Sequence, residues 1–145
     1  GHQIENPLLR SGIVMSGANE LASGDEDGVV TAAELSGMDL WGTEPVVMSA
    51  CETGLGELRM GQGVFGLRRA FTLAGARSQV MSLWSVSDAA TARLMTDYYQ
   101  RLKRGEGRTE GLRRARLELM GKEEWRHPYF WAAFIPSGDW RKMSF

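Results

Sequence analysis

The fold class of this chain is decided by the stretch V-V-M-S-A-C-E-T-G-L-G, which occupies residues 46–56. Its first five residues, Val46–Ala50, form an apolar run just after a proline, which predicts a buried strand. Cys51 lies at the carboxyl end of that strand and is followed by a glycine-rich turn. Such strand ends expose side chains and direct backbone N–H groups towards a substrate. Cys51 is therefore a candidate catalytic residue, although a lone cysteine in a buried strand is more often a small core residue.

Helices and strands alternate on both sides of this stretch. The patterns predict strands at Ile13–Met15, Val46–Ala50, Gln79–Trp84 and Trp131–Ile135, and helices at 31–35, 61–74, 88–103 and 109–120. The strands are continuously apolar, which favours an α/β fold: a mostly parallel sheet with helices on both faces. Ligand sites in such sheets form outside the carboxyl ends of the strands. Cys51 and the segment Trp84–Asp88 are therefore expected to be neighbours.

Local signals predict where the helices begin and end. Thr31 and Glu34 have the spacing of a capping box, in which each side chain accepts a hydrogen bond from the other residue's backbone. Asp88 and Thr109 precede helical patterns and are predicted N-caps. Glycines follow three of the predicted helices and are expected to end them: Gly37, Gly75 and Gly121.

The composition is that of one compact globular domain. Of the 145 residues, 43% are hydrophobic and 24% are charged, which excludes a disordered chain. No apolar run approaches the ~18 residues of a membrane helix and no secretory signal opens the chain, so we expect a cytoplasmic protein without a membrane partner. The single cysteine excludes an internal disulfide framework and any multi-cysteine metal site.

Charge is distributed unevenly along the chain, although the net charge is only −1. Residues 1–57 contain ten carboxylates against one base, and residues 58–145 contain sixteen bases against eight carboxylates. We interpret the halves as complementary surfaces that pack together; separate partners for each half are the alternative. A basic cluster near two helix ends is expected to be a solvated face or a docking site for an acidic domain: Arg101, Lys103, Arg104, Arg108, Arg113, Arg114 and Arg116. Aromatic residues are not interleaved with it, so no direct nucleic-acid partner is predicted.

Six motifs, in order along almost the whole chain, resemble the CHAT domain, a caspase-like cysteine peptidase family usually found with tetratricopeptide repeats. They are N-P-L-L-R-S-G (6–12), S-G-A-N (16–19), D-G-V-V-T-A-A-E-L (27–35), M-S-A-C-E-T-G-L-G (48–56), S-L-W-S-V-S-D (82–88) and H-P-Y-F-W-A-A-F (127–134). The resemblance implies a caspase-like α/β sandwich. It also implies that Cys51 attacks a peptide carbonyl of a protein substrate and forms a thioester acyl-enzyme. The backbone N–H of Cys51, with one from the loop after the catalytic histidine, would bind the oxyanion.

The resemblance places the catalytic histidine upstream of the cysteine, in a His-Gly pair that ends a strand. A thiol also needs such an imidazole to ionise near neutral pH, because the acidic half of the chain raises its pKa. Residues 1–3 are Gly-His-Gln and depart from the pattern. Several interpretations stay open: the His-Gly strand precedes Gly1, Gly1 itself follows a histidine that is absent here, His2 is the general base in a shifted register, or Gly1-His2 is a cloning remnant. If the histidine lies before Gly1, residues 1–145 are a single CHAT-type domain that lacks its catalytic histidine and is inactive until a preceding segment or TPR-like region of the same protein is supplied.

By the same resemblance, Trp84, Val86 and Asp88 lie on a loop that lines the pocket for the substrate residue before the scissile bond. This run is also similar to a strand of separase in which the equivalent acid selects a basic side chain, and Asp88 is expected to do the same. The alternative is that Asp88 only caps the helix that begins at Ala89. His127 follows Cys51 in the order of papain-like enzymes, but the resemblance places it in a structural segment before the last strand.

Residues 23–34 imitate a calcium-binding loop, because Asp25, Asp27 and Glu34 fall at ligand positions 3, 5 and 12. Ser23 stands where such a loop has aspartate, and Glu34 also belongs to the capping box. We therefore expect neither a metal nor another cofactor. The alternative to a peptidase is a catalytically incomplete caspase-like scaffold for protein–protein interaction or regulation, a hypothesis that the missing His-Gly pair motivates.

Overall fold

The computed structural model describes Leu8 and residues 11–14, 28–49 and 62–144, with only the backbone described for 62–65. His2, the calcium-like residues 23–27 and Cys51 lie outside the described residues.

The chain divides into two compact units. The first contains Gly1–Gly42 and Thr53–Ala76, and the second contains Thr43–Glu52 and Arg77–Phe145. The predicted pocket residues Trp84, Val86 and Asp88 belong to the second unit.

The described part of the chain contains both strands and helices, in mixed order. Its strands are β1 (Gly12–Val14), β2 (Val29–Thr31), β3 (Pro45–Met48), β4 (Ser78–Ser82) and β5 (Phe134–Gly138). Its helices are α1 (Ala32–Ser36), α2 (Gln62–Leu73), α3 (Asp88–Lys103), α4 (Arg108–Met120) and α5 (Pro128–Trp131), with a 3₁₀ turn at Glu123–Trp125. The predicted α/β class is confirmed at this level.

In the first unit, α1 packs against α2 beside a two-stranded ribbon in which β1 and β2 run antiparallel. The predicted capping box is present at the start of α1. Thr31 Oγ1 accepts a hydrogen bond from the Glu34 N–H at 3.2 Å, and Glu34 Oε2 accepts one from the Thr31 N–H at 2.8 Å. Gly75 follows α2 with a φ of +101°, a backbone conformation that favours glycine.

The second unit contains a three-stranded sheet in the order β3–β4–β5. β3 and β4 are parallel, with Val47 opposite Val80, and β4 and β5 are antiparallel, with Val80 opposite Pro136. All five residues of the central strand β4 are buried. Helices α3 and α4 pack together, and their apolar faces form one core with the sheet: Val80, Leu94, Tyr98, Leu102, Leu112, Ala115, Leu119, Ala133 and Phe134.

The described sheet is mixed, so the prediction of a mostly parallel sheet is wrong for this part of the chain. The last strand was expected at Trp131–Ile135, but Pro128–Trp131 is helical and β5 begins at Phe134. Pro128 starts the helix because its fixed φ suits the first helical position. The connection from α4 then returns the chain antiparallel to β4. Pro136 is tolerated in β5 because that strand has one neighbour in the described sheet.

Arg108 departs from the expectation that its basic cluster is a solvated face, whereas Lys103, Arg104, Arg113 and Arg114 of the same cluster are exposed as expected. Its side chain is only 3% exposed and pairs with the carboxylates of Glu44 and Asp139, the latter at 3.4 Å. Its guanidinium also donates to the Arg141 carbonyl at 3.1 Å. Glu44 directly precedes β3 and Asp139 directly follows β5. One buried cation therefore joins the amino end of β3 and the carboxyl end of β5 to the start of α4.

Further residues complete this ion network at the same edge of the sheet. Arg77, which directly precedes β4, reaches Glu44 at 3.1 Å, and Arg141 reaches Asp139 at 3.0 Å. Hydrogen bonds from Arg141, aided by its charge and that of Arg108, hold the pKa of Asp139 well below its ordinary value. The Asp139 carboxylate therefore stays ionised at neutral pH beside these guanidinium groups.

Two predicted N-caps are wrong by one or two residues. α3 begins at Asp88 itself, after Ser87, and α4 begins at Arg108, after Gly107. Gly107 pairs with Lys142 in an isolated bridge, and this tertiary contact holds it in the extended conformation of an N-cap. Thr109 therefore already lies within the helix.

Arg116, another member of the basic cluster, is half-buried, and burial lowers its pKa.

None of the helices in the described ranges is both long and apolar enough to cross a membrane.

Replacing Arg108 with methionine is expected to lower the free energy of unfolding by about 1.5–3 kcal/mol, because Glu44 and Asp139 lose their buried cation and keep only the more exposed Arg77 and Arg141 as partners. The measurement is urea unfolding followed by circular dichroism. Arg104→Met is the matched control: Arg104 is exposed and forms no ion pair with a described residue, so its loss should cost less than about 0.5 kcal/mol. Equal costs for the two variants would contradict a structural role for the network.

Candidate functional site

The candidate site lies at the carboxyl edge of the parallel pair β3 and β4. Met48 ends β3 directly opposite Met81, the penultimate residue of β4. Residues that follow the two strands therefore leave the sheet at the same edge, as predicted. Cys51 comes three residues after Met48 but lies outside the described residues, so its role as nucleophile stays a prediction.

The loop after β4, residues 83–87, carries two of the three predicted pocket residues. Trp84 is 37% exposed at the start of the loop. Val86 is half-buried and packs against the core of the second unit. The side chain of Val86 therefore attaches the loop to the core, and the side chain of Trp84 lies at the surface of the loop.

Asp88, the third predicted pocket residue, is exposed as the first residue of α3. The preceding Ser87 occupies the N-cap position and makes no side-chain cap hydrogen bond, so Asp88 does not cap a helix that begins at Ala89. Its carboxylate forms no ion pair with any described residue. Asp88 is therefore an unpaired anion at the edge of the loop.

Hydrogen bonds hold the loop against α5 and the residues that follow it. The indole Nε1–H of Trp84 donates to the Tyr129 carbonyl at 3.0 Å, and the Tyr129 hydroxyl donates to the Ser85 carbonyl at 2.6 Å. The Leu83 N–H donates to the Ala133 carbonyl at 2.9 Å. We call the first two bonds, between Trp84, Ser85 and Tyr129, the aromatic clasp.

Tyr129 is the residue that the sequence analysis missed at this site. It lies in the H-P-Y-F-W run, which was interpreted only as a structural segment. The available signal was chemical: a tyrosine carries a hydroxyl that can form a hydrogen bond with a neighbouring loop. Its partners are 44 and 45 residues away in sequence, so no local pattern identifies them.

His127 has the structural role that the sequence analysis assigned to it. It is the N-cap of α5, and its Nδ1 accepts a hydrogen bond from the Tyr129 N–H at 3.2 Å. His127 therefore fixes the start of the helix that carries Tyr129.

The described residues contain no group of three or more His, Cys, Asp or Glu side chains that could hold a metal ion. Asp25 and Asp27 of the calcium-like run lie outside these residues. Glu34, the last position of that run, is engaged by its capping partner Thr31.

Replacing His127 with alanine is expected to cost about 1 kcal/mol of unfolding free energy, because α5 loses its side-chain cap. His127→Asn keeps a side-chain acceptor for the Tyr129 N–H and should cost only a few tenths of that figure. Thermal unfolding of the two variants measures the difference. If alanine and asparagine destabilise the chain equally, the cap does not stabilise it.

Comparison with known proteins finds one domain family and two related proteins. Residues 1–139 match the CHAT domain. The chain is 29% identical over 116 residues to Tetratricopeptide repeat protein 28 of Mus musculus, an alignment covering 80% of this chain and 5% of that protein. It is 33% identical over 82 residues to the Homo sapiens protein of the same name, and this alignment covers 57% of this chain and 3% of that protein. The chain thus corresponds to a small part of each relative.

Proposed function

The chain belongs to the CHAT domain family, and from this we propose that it is the cysteine-bearing part of an endopeptidase that cleaves a protein substrate. Cys51 is the nucleophile, and the general base is an imidazole supplied by an upstream segment or by His2. The caspase-like sandwich that the family implies is part of the same proposal. The parallel pairing of β3 with β4 is the described feature that best supports the proposal. The strand that precedes Cys51 in the sequence lies beside the strand that precedes Trp84 and Asp88.

The chemistry is an acyl transfer through sulfur. The Cys51 thiolate attacks the scissile carbonyl carbon, a C–S bond forms, and the C–N bond breaks while the imidazolium gives its proton to the departing amine. Water then attacks the thioester carbonyl carbon and gives a proton to the imidazole, a C–O bond forms, and the C–S bond breaks, which regenerates the thiolate and the imidazolium. The products are the amine released in the first step and a carboxylic acid, and no cofactor enters the balance.

The loop after β4 supports a preference for a basic substrate side chain. Asp88 is exposed and unpaired within the described part of the chain, so a substrate cation does not have to displace an internal partner. Trp84 presents an indole four residues earlier. An arginine or lysine stem packs well on an indole face while its charged head reaches a carboxylate. The carboxylate and the indole together fit arginine or lysine before the scissile bond.

A second candidate is an interaction scaffold with an incomplete catalytic pair. It is favoured by one observation: Gln3 follows His2 where the family pattern has glycine. The relatives are named for tetratricopeptide repeats, and in either case we propose that a TPR-like region of the same protein adjoins this domain. A cytoplasmic location is part of both proposals. A His-Gly pair after an apolar strand in the sequence preceding Gly1 would favour the peptidase.

Covalent labelling tests the nucleophile. In the whole protein, an acyloxymethyl ketone peptide with arginine beside the ketone should label the wild type, and Cys51→Ala should abolish labelling because the thiolate is lost. Ser49→Ala, two residues away, is the matched control and should label normally. Labelling that persists in Cys51→Ala would sink the assignment.

The role of Asp88 is tested with two probes that differ only in the residue beside the ketone. Asp88→Asn should slow labelling by the arginine probe about tenfold, the usual size of one lost charge-assisted hydrogen bond. Labelling by the leucine probe should be unchanged. Glu123→Gln, which removes another exposed carboxylate, is the control and should affect neither probe. An equal loss with both probes would mean that Asp88 does not read substrate charge.

A further inference from the structure

The aromatic clasp joins two segments at the candidate site through reciprocal hydrogen bonds. Tyr129 accepts from the Trp84 indole through its backbone and donates to the Ser85 carbonyl through its side chain. Each segment thus supplies one donor and one acceptor. Separating them breaks both bonds together, so the clasp is one structural unit rather than two independent contacts.

The clasp is not explained by burial of its aromatic rings. Trp84 is 37% exposed and Tyr129 is 45% exposed, whereas the core of this unit is built from residues such as Tyr98 and Phe134 that are almost fully buried. Rings that keep so much exposed surface add little to the core. The two polar tips are instead used to fix loop backbone and one indole edge beyond the end of β4. The feature that the clasp stabilises is therefore the conformation of the loop.

The neighbouring contacts indicate which part of the loop is held. The Leu83 N–H bonds to Ala133 at the base of the loop, and Val86 packs into the core near its other end. The clasp holds the two residues in between, Trp84 and Ser85. Because the indole is tied by its N–H edge, its exposed surface is available to a substrate in one defined orientation.

We propose that Tyr129 is a positioning residue for substrate binding, which holds Trp84 and Ser85 ready for the substrate side chain next to the scissile bond. The inference rests on the proposed peptidase function and adds to it a residue outside the predicted pocket. Tyr129 acts through the loop and takes no part in bond making or breaking. Binding to an ordered loop avoids the entropic cost of ordering it during association.

This role predicts a particular kinetic signature. Tyr129→Phe removes only the hydroxyl that holds Ser85, so KM for a peptide with arginine before the scissile bond should rise about three- to tenfold, the range expected for one hydrogen bond. The value of kcat should change less than about twofold, because the interaction is uniform between bound substrate and transition state. Trp84→Phe removes the other bond of the clasp. Its effect combined with Tyr129→Phe should be less than the product of the two separate effects.

The matched control is Tyr99→Phe on α3. Tyr99 is also a half-exposed tyrosine, and its hydroxyl has no hydrogen-bond partner among the described residues. This variant should leave KM, kcat and stability unchanged. Circular dichroism of every variant verifies that the fold is retained, and hydrogen exchange of the 84–87 backbone amides reports loop order directly. Exchange there should be faster in Tyr129→Phe than in wild type or in Tyr99→Phe.

A binding measurement separates failure of this inference from failure of the proposed function. The whole protein carrying Cys51→Ala is titrated with an uncleaved arginine-containing peptide, with and without Tyr129→Phe. Weaker binding by the same three- to tenfold factor supports the positioning role. Equal binding, or a fall in kcat at constant KM, overturns it while the peptidase assignment stands. If wild-type protein is not labelled by the thiol-directed probe and binds no peptide, both proposals fall.

Discussion

The parallel pairing of β3 with β4 is the constraint on which the second unit and its candidate site depend. Parallel strands cannot be joined by a tight turn, so the chain must leave the sheet after Met48 and return at Ser78. That crossover brings the carboxyl ends of both strands to one edge. Residues widely separated in sequence then share one edge of the sheet, and the two strands are held in register by backbone hydrogen bonds that do not depend on side-chain identity.

The two edges of this sheet have different chemistry. At the amino edge of β3 and β4, Arg108 neutralises two carboxylates inside a network of ion pairs. Each carboxylate of this network also has a second, more exposed arginine partner, Arg77 for Glu44 and Arg141 for Asp139. At the carboxyl edge, the hydrogen bonds are made by half-exposed aromatic residues and by loop backbone. The amino edge is thus held by ion pairs around a buried arginine, whereas the aromatic residues at the carboxyl edge remain partly exposed.

The charge asymmetry of the sequence has a structural counterpart in this network. Glu44 belongs to the acidic first part of the chain, and its partners Arg77 and Arg108 belong to the basic second part. The interpretation that the two halves complement each other is confirmed at this position. Other ion pairs stay within the basic part, as between Arg101 and Asp97 or Arg113 and Glu110. The hydrogen bonds from Arg113 and Arg114 lower the pKa of Glu110 to about 2, so these exposed pairs remain charged at neutral pH.

Local features were predictable from sequence because their physics acts over a few residues. The Thr31–Glu34 capping box joins residues three apart, glycine follows α2 where the backbone needs a positive φ, and apolar runs mark β3 and β4. The parallel pairing of β3 with β4 also followed from the α/β pattern alone. Only the tertiary structure decided the antiparallel direction of β5, the burial of Arg108 and the clasp made by Tyr129. These depend on contacts 33 to 64 residues apart, and a charged or aromatic side chain has the same local signature whether it meets a distant partner or water.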